Sequence, residues 1–141
     1  LRLEIKELES MIGDTYRSLS PNHDVDAGLL LWIAHFFGQE PWARVLRERI
    51  LTTLDTRWID PPGYFRRELT VPPWGVPRIN RLAVSNLTTA IGLQAQGVWS
   101  HRVARLHHHF TTSYPWEITP EDPLAPVLLC VSLNPSLLLA H

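Results

Sequence analysis

Several side chains in this sequence have types and spacings that suit chemistry. Residues 22–26 read Asn-His-Asp-Val-Asp, so Asp24 and Asp26 gather at the mouth of an apolar helix. Burial there raises a carboxyl pKa into the range of a general acid. The same aspartates also suit a helix start, where a carboxylate accepts backbone N–H bonds and meets the positive pole. Tyr64, Phe65 and Trp74 fall in one proline-rich stretch and Tyr114 and Trp116 in another. A phenol in such a loop can donate to a substrate oxygen while the other rings wall a cavity; anchoring of the loop is the competing role. His35 sits on an apolar helix, as either a core histidine or a substrate contact. Cys130 lies in an apolar segment, where a thiol is by default a small, unreactive hydrophobe. Asp24, Asp26, Tyr64 and Cys130 are the catalytic candidates; His35, Phe65, Trp74, Tyr114 and Trp116 are the substrate-binding ones.

His101 and His108 are seven apart and share a helix face, and 107–109 are consecutive histidines of the kind zinc accepts. A third firm ligand and a carboxylate at helical spacing are both missing, and histidines near a helix end also suit its negative pole. No metal and no cofactor is assigned. There is no phosphate-cradling glycine loop, paired-cysteine site, nucleophile elbow or calcium loop.

The elements that must position these groups form a unit used twice. Residues 28–37 are almost wholly apolar, the pattern of an inner helix buried on all sides. Gly38 fits the left-handed position that closes it, and Pro41 fits the first turn of the next helix. Trp42, Leu46, Ile50, Leu54 and Trp58 follow at four-residue steps, with Arg44, Arg47, Glu48 and Arg49 left for solvent: an outer helix. The second unit, 81–110, repeats the scheme around Gly97, with small residues in its inner helix and a Trp99, Val103, Leu106, Phe110 stripe in its outer one. Arg44-Val45-Leu46-Arg47 matches Arg102-Val103-Ala104-Arg105 at nearly the same distance past each glycine. Leu1, Ile5, Leu8 and Ile12 predict a further amphipathic helix over 1–17, and an inner helix begins at Leu124 with Pro135 to kink or end it. Residues 60–80 hold five prolines and two glycines, a loop of the length that is usually functional.

The expected class is therefore all-α: stacked helical hairpins over 1–141 as a single domain, a fragment of an (α/α) toroid or barrel. Such arrays need about three units and polar caps. The count here, with the start at Leu1 and the apolar close at 137–141, predicts missing neighbours, either the remainder of a longer chain or a second copy in a homo-oligomer. The composition, 45% apolar and 19% charged, is globular. A net charge of -1 gives no field for nucleic acid or anionic lipid, and the apolar runs are too short or too proline-broken to span a bilayer. One cysteine excludes an internal disulfide and favours a reducing compartment such as the cytoplasm. The Asn86-Leu87-Thr88 glycosylation pattern is discounted because it falls inside an apolar helix.

The run 50–67, Ile-Leu-Thr-Thr-Leu-Asp-Thr-Arg-Trp-Ile-Asp-Pro-Pro-Gly-Tyr-Phe-Arg-Arg, with a small-residue helix after it and a later Tyr114-Pro115-Trp116, resembles the linalool dehydratase/isomerase-like domains over about residues 45–116. The resemblance implies an (α/α)6 barrel that protonates and removes the hydroxyl of a small terpene alcohol without a cofactor. It also implies Asp, Tyr, His and Cys side chains in an apolar cavity; Tyr64 is the candidate inside the matching segment. Two other readings stand beside it. A carbohydrate-active (α/α)6 enzyme, a glycoside hydrolase or sugar epimerase, would need two carboxylates facing across a cavity. A non-catalytic helical-repeat module would bind protein through short loops and a charged face.

Overall fold

The structure, a computed structural model, describes residues 24–66, 81–116 and 124–134. Five helices are present there: α1 (Asp24–Phe36), α2 (Pro41–Asp55), α3 (Arg81–Gln96), α4 (Ser100–Thr112) and α5 (Leu124–Leu133). A two-stranded antiparallel ribbon, β1 (Trp58–Ile59) and β2 (Tyr64–Phe65), pairs Trp58 with Phe65 and Ile59 with Tyr64. The protein is thus mostly helical. The expected helix over 1–17 and Trp74 lie outside the described residues.

The apolar sequences of α1 and α3 place them against each other, and glycine sets how close they come. A Cβ on Gly28 would stand 2.3 Å from the Thr88 carbonyl oxygen, and one on Gly92 would stand 2.4 Å from the Gly28 oxygen. Backbone meets backbone at this crossing, and any side chain would push the helices apart. Gln96 Nε2 then donates to the Leu31 carbonyl at 2.9 Å. Because 28 faces 88–92 and 31 faces 96, the two inner helices run parallel. Helix α5 packs on α3, and α2 and α4 pack on α1 and α3 respectively. Leu31, Ala83, Leu87, Ala90, Leu93, Leu106 and Phe110 are sealed from solvent in the shared core.

Helix α3 is the one buried along most of its length. Helix α1 is not enclosed on all sides, contrary to the expectation from its composition: Leu29 is 44% and Phe36 51% exposed. Helix α5 likewise leaves Val127 and Leu133 about half exposed. Apolar composition marks what a helix can bury, whereas the number of neighbours decides how much it does bury.

The two elbows differ. Gly97 takes φ +68, and the Val98 N–H reaches back to the Leu93 carbonyl at 3.2 Å, the left-handed closure that glycine permits. Gly38 does not adopt it. Instead α1 tightens, with Gly38 N–H on the His35 carbonyl at 3.3 Å and Glu40 N–H on the Phe37 carbonyl at 2.8 Å. Pro41 then opens α2 as expected. Trp42 and Trp99 precede or begin the outer helices; Trp99 itself is left-handed at φ 52.

Candidate functional site

The ribbon is held to α3 by one side chain. Asn86, fully buried, accepts the Phe65 N–H at its Oδ1 (2.7 Å) and donates from Nδ2 to the Phe65 carbonyl (3.0 Å) and to the Leu82 carbonyl (2.9 Å). The carboxamide behaves as one more strand residue, so the backbone of β2 loses no hydrogen bond on burial. This depth also accounts for the discounted glycosylation pattern.

Ionic and aromatic contacts fasten the ribbon to α4. The Arg102 guanidinium lies 4.5 Å from the Trp99 ring centroid and 5.4 Å from that of Trp58, and it pairs with Asp55 at 2.8 Å. Arg105 pairs with Asp60 at 2.6 Å, and this hydrogen bond holds the Asp60 carboxyl below its ordinary range. Gly63, at φ +113, lets the turn pass over Arg105, whose Cβ would be 3.1 Å from any Cβ at 63. The outer-helix arginines of the second unit thereby clamp the end of the first.

At the far end of α4 the ribbon delivers a group of rings. Tyr64 stacks on His109 (centroids 5.4 Å apart, planes at 20°), and Tyr114 meets His109 edge-on at 6.4 Å and Phe110 at 4.9 Å. Trp116 packs on Tyr114 at 5.1 Å and donates from Nε1 to the Phe110 carbonyl at 2.7 Å. Phe65 lies one step along the ribbon, 4.9 Å from Trp58 and 6.2 Å from Trp99. Four of the candidates, Tyr64, Phe65, Tyr114 and Trp116, are therefore brought to one region. Tyr64 and Phe65 belong to a strand rather than to the open loop expected from their prolines, because Asn86 supplies the edge on which an extended backbone can rest.

His109 is the member that sequence reasoning did not single out. Its Nδ1 is buried with no hydrogen-bond partner, and burial, with the neighbouring His108, holds its pKa below the ordinary imidazole value. The sequence signal was present: 109 is one before the Phe110 that ends the buried stripe of α4, whereas His101 and His108 are solvent-facing. His107 is half buried, its Nε2 2.6 Å from the Ser132 hydroxyl of α5, and burial also lowers its pKa. The triple histidine thus splits three ways, and among the described residues no group of three His, Cys, Asp or Glu side chains is placed to hold a metal.

The remaining candidates lie elsewhere. Cys130 is exposed on α5, not enclosed as its apolar surroundings in sequence predict. His35 is exposed near the end of α1 rather than in the core, and lines a cleft at the first elbow. Asp24 and Asp26 occupy the first turn of α1, so Asp26 is helical rather than a residue before the helix; their side chains lie outside what is described. Among the described residues no helix is long and apolar enough to cross a membrane. No known sequence family, no curated protein and no solved structure matches the chain.

Proposed function

We propose that the chain is an arc of an (α/α) ring that acts on a small apolar alcohol by acid–base chemistry, at the ring of aromatics around His109. The arrangement of helices supports the architecture. Parallel inner helices lie side by side, each carries an outer helix, and the free apolar faces of α1 and α5 are where further inner helices would pack, from the same polypeptide or a second copy.

The observation that carries the chemistry is the idle, buried Nδ1 of His109. A neutral imidazole presents one donor and one acceptor, and a pKa below the ordinary value keeps it neutral at pH 7. Such a ring is a base suited to taking a proton from carbon beside a hydroxyl-bearing carbon. That electron pair becomes the C=C bond, the C–O bond breaks, and the oxygen leaves as water after receiving a proton. The phenols of Tyr64 and Tyr114, packed on the same imidazole, are the groups that would hydrogen-bond the departing oxygen. Trp116, half-buried on Tyr114, supplies an apolar wall.

The test is titration of the full chain, labelled at its histidines and tyrosines, with a monoterpene tertiary alcohol up to its solubility limit. Saturable movement of the His109 and Tyr64 signals, abolished in His109→Ala, is expected. Signals that stay fixed, or that move with a monosaccharide instead, overturn the reading; the second outcome would point to the carbohydrate alternative.

A further inference from the structure

The first elbow holds a second site. Small residues, Ala34, Gly38 and Ala43, leave a cleft of about 380 Å³ between the end of α1 and the start of α2, with Gln96 of α3 as its floor. That volume suits a small organic molecule. Its polar lining is His35, Arg44, Arg47 and Glu48.

The charges are not balanced. Arg47 is tied down: its Nε donates to Gln96 Oε1 at 2.9 Å, and it is ion-paired with Glu48. Gln96 is fixed in turn by its own bond to the Leu31 carbonyl. The Glu48 carboxylate is therefore spent on Arg47. Among the described residues Arg44 makes a single hydrogen bond, a long 3.4 Å one from Nε to the Gly38 carbonyl, which orients the side chain without neutralising it. Among the described lining residues, two guanidinium groups stand against one carboxylate, one positive charge in excess.

The second unit is built differently. At the matching positions, Arg102 and Arg105 find Asp55 and Asp60. Arg44 is paired with no carboxylate among the described residues.

We infer that the elbow cleft binds a small organic carboxylate, with Arg44 as its anchor. A planar guanidinium fork matches a carboxylate in shape and charge, and the cleft leaves room beside exposed Gly38 for a small body. Along α3 this cleft at 96 lies roughly 15 Å from the ribbon anchor at 86, from the helical rise, so it is separate from the His109 region and does not depend on the reading given for it.

The experiment uses the full chain with benzoate as probe and benzyl alcohol as its neutral counterpart, followed by backbone amide shifts. Benzoate is expected to move the amides of Gly38, Arg44 and Gln96 saturably, and benzyl alcohol to leave them in place. Arg44→Ala, at an exposed position, should weaken benzoate about tenfold or more, and Arg49→Ala, on the same helix but outside the cleft, should not. Equal response to both probes, equal loss in both variants, or no saturable shift at the elbow overturns the inference.

Discussion

Asn86 and Phe65 pair through both of Phe65's backbone groups, at 2.7 and 3.0 Å, with the carboxamide sealed from solvent. One side chain of α3 thereby anchors the ribbon, and with it Tyr64, which stacks on His109. Asn86→Ala leaves the N–H and C=O of a buried residue without partners, each costing about 1–3 kcal/mol. A loss of about 2–4 kcal/mol in urea denaturation is expected, with the Tyr64 signals shifted. A variant within about 0.5 kcal/mol of the parent, the range of ordinary surface changes, would show that the ribbon holds without this anchor.

The glycines should not be equivalent. Gly92→Ala places a methyl 2.4 Å from a backbone oxygen across the α1–α3 crossing, so the helices must separate. The cost expected is about 3 kcal/mol or more. Gly97→Ala meets nothing within 4 Å and pays only for a left-handed backbone, φ +68, about 1–2 kcal/mol. Thermal melts of the two variants, side by side, decide whether the crossing is as tight as described; the reverse order of stability would contradict it.

Acid should destabilise the fold through His107 and His109. Both folded pKa values lie below the 6.5 of the unfolded chain, so the unfolded form takes up protons first. Stability is then level above about pH 7.5 and declines as pH falls through 6.5, the loss ending once the folded groups also titrate. Denaturation midpoints between about pH 7.5 and 5.5 should fall in the parent, and fall less in the His107→Gln/His109→Gln double variant. An unchanged slope in that variant would assign the dependence to other groups.

Arg102 does more than carry charge. Its guanidinium meets two indole rings and the Asp55 carboxylate together, a planar arrangement an ammonium cannot reproduce. Arg102→Lys is expected to cost about 1–2 kcal/mol and to change the tryptophan fluorescence, whereas Arg49→Lys, on the exposed side of α2, changes neither. Matching behaviour of the two lysine variants would reduce the stacking to a coincidence of packing.

Apolar spacing pointed to the helices seen at Pro41–Asp55, Arg81–Gln96 and Ser100–Thr112, but carried the first of these on to Trp58, which lies in β1. Trp42, Leu46, Ile50 and Leu54 could face the core together only on a helix, and Asp60 to Gly63 could not continue one. Apolar character pointed to 28–37 as the enclosed element, whereas 81–96 is the one more deeply buried. These features follow from local rules: turn geometry, spacing of apolar side chains, and the backbone limits of proline and glycine.

Tertiary structure decided the rest, because burial and pairing are properties of neighbours. His108 and His109 adjoin in the chain, yet a ring from residue 64 covers one and solvent meets the other. Asn86 reads as an ordinary polar residue in an apolar helix until the Phe65 backbone comes to it from 21 positions away. Cys130 and Leu29 read as interior and face outward, since nothing among the described residues packs over them. Sequence sets which faces are greasy and where the chain can bend; only the folded arrangement settles which of those faces is covered and which polar atom is left without a partner.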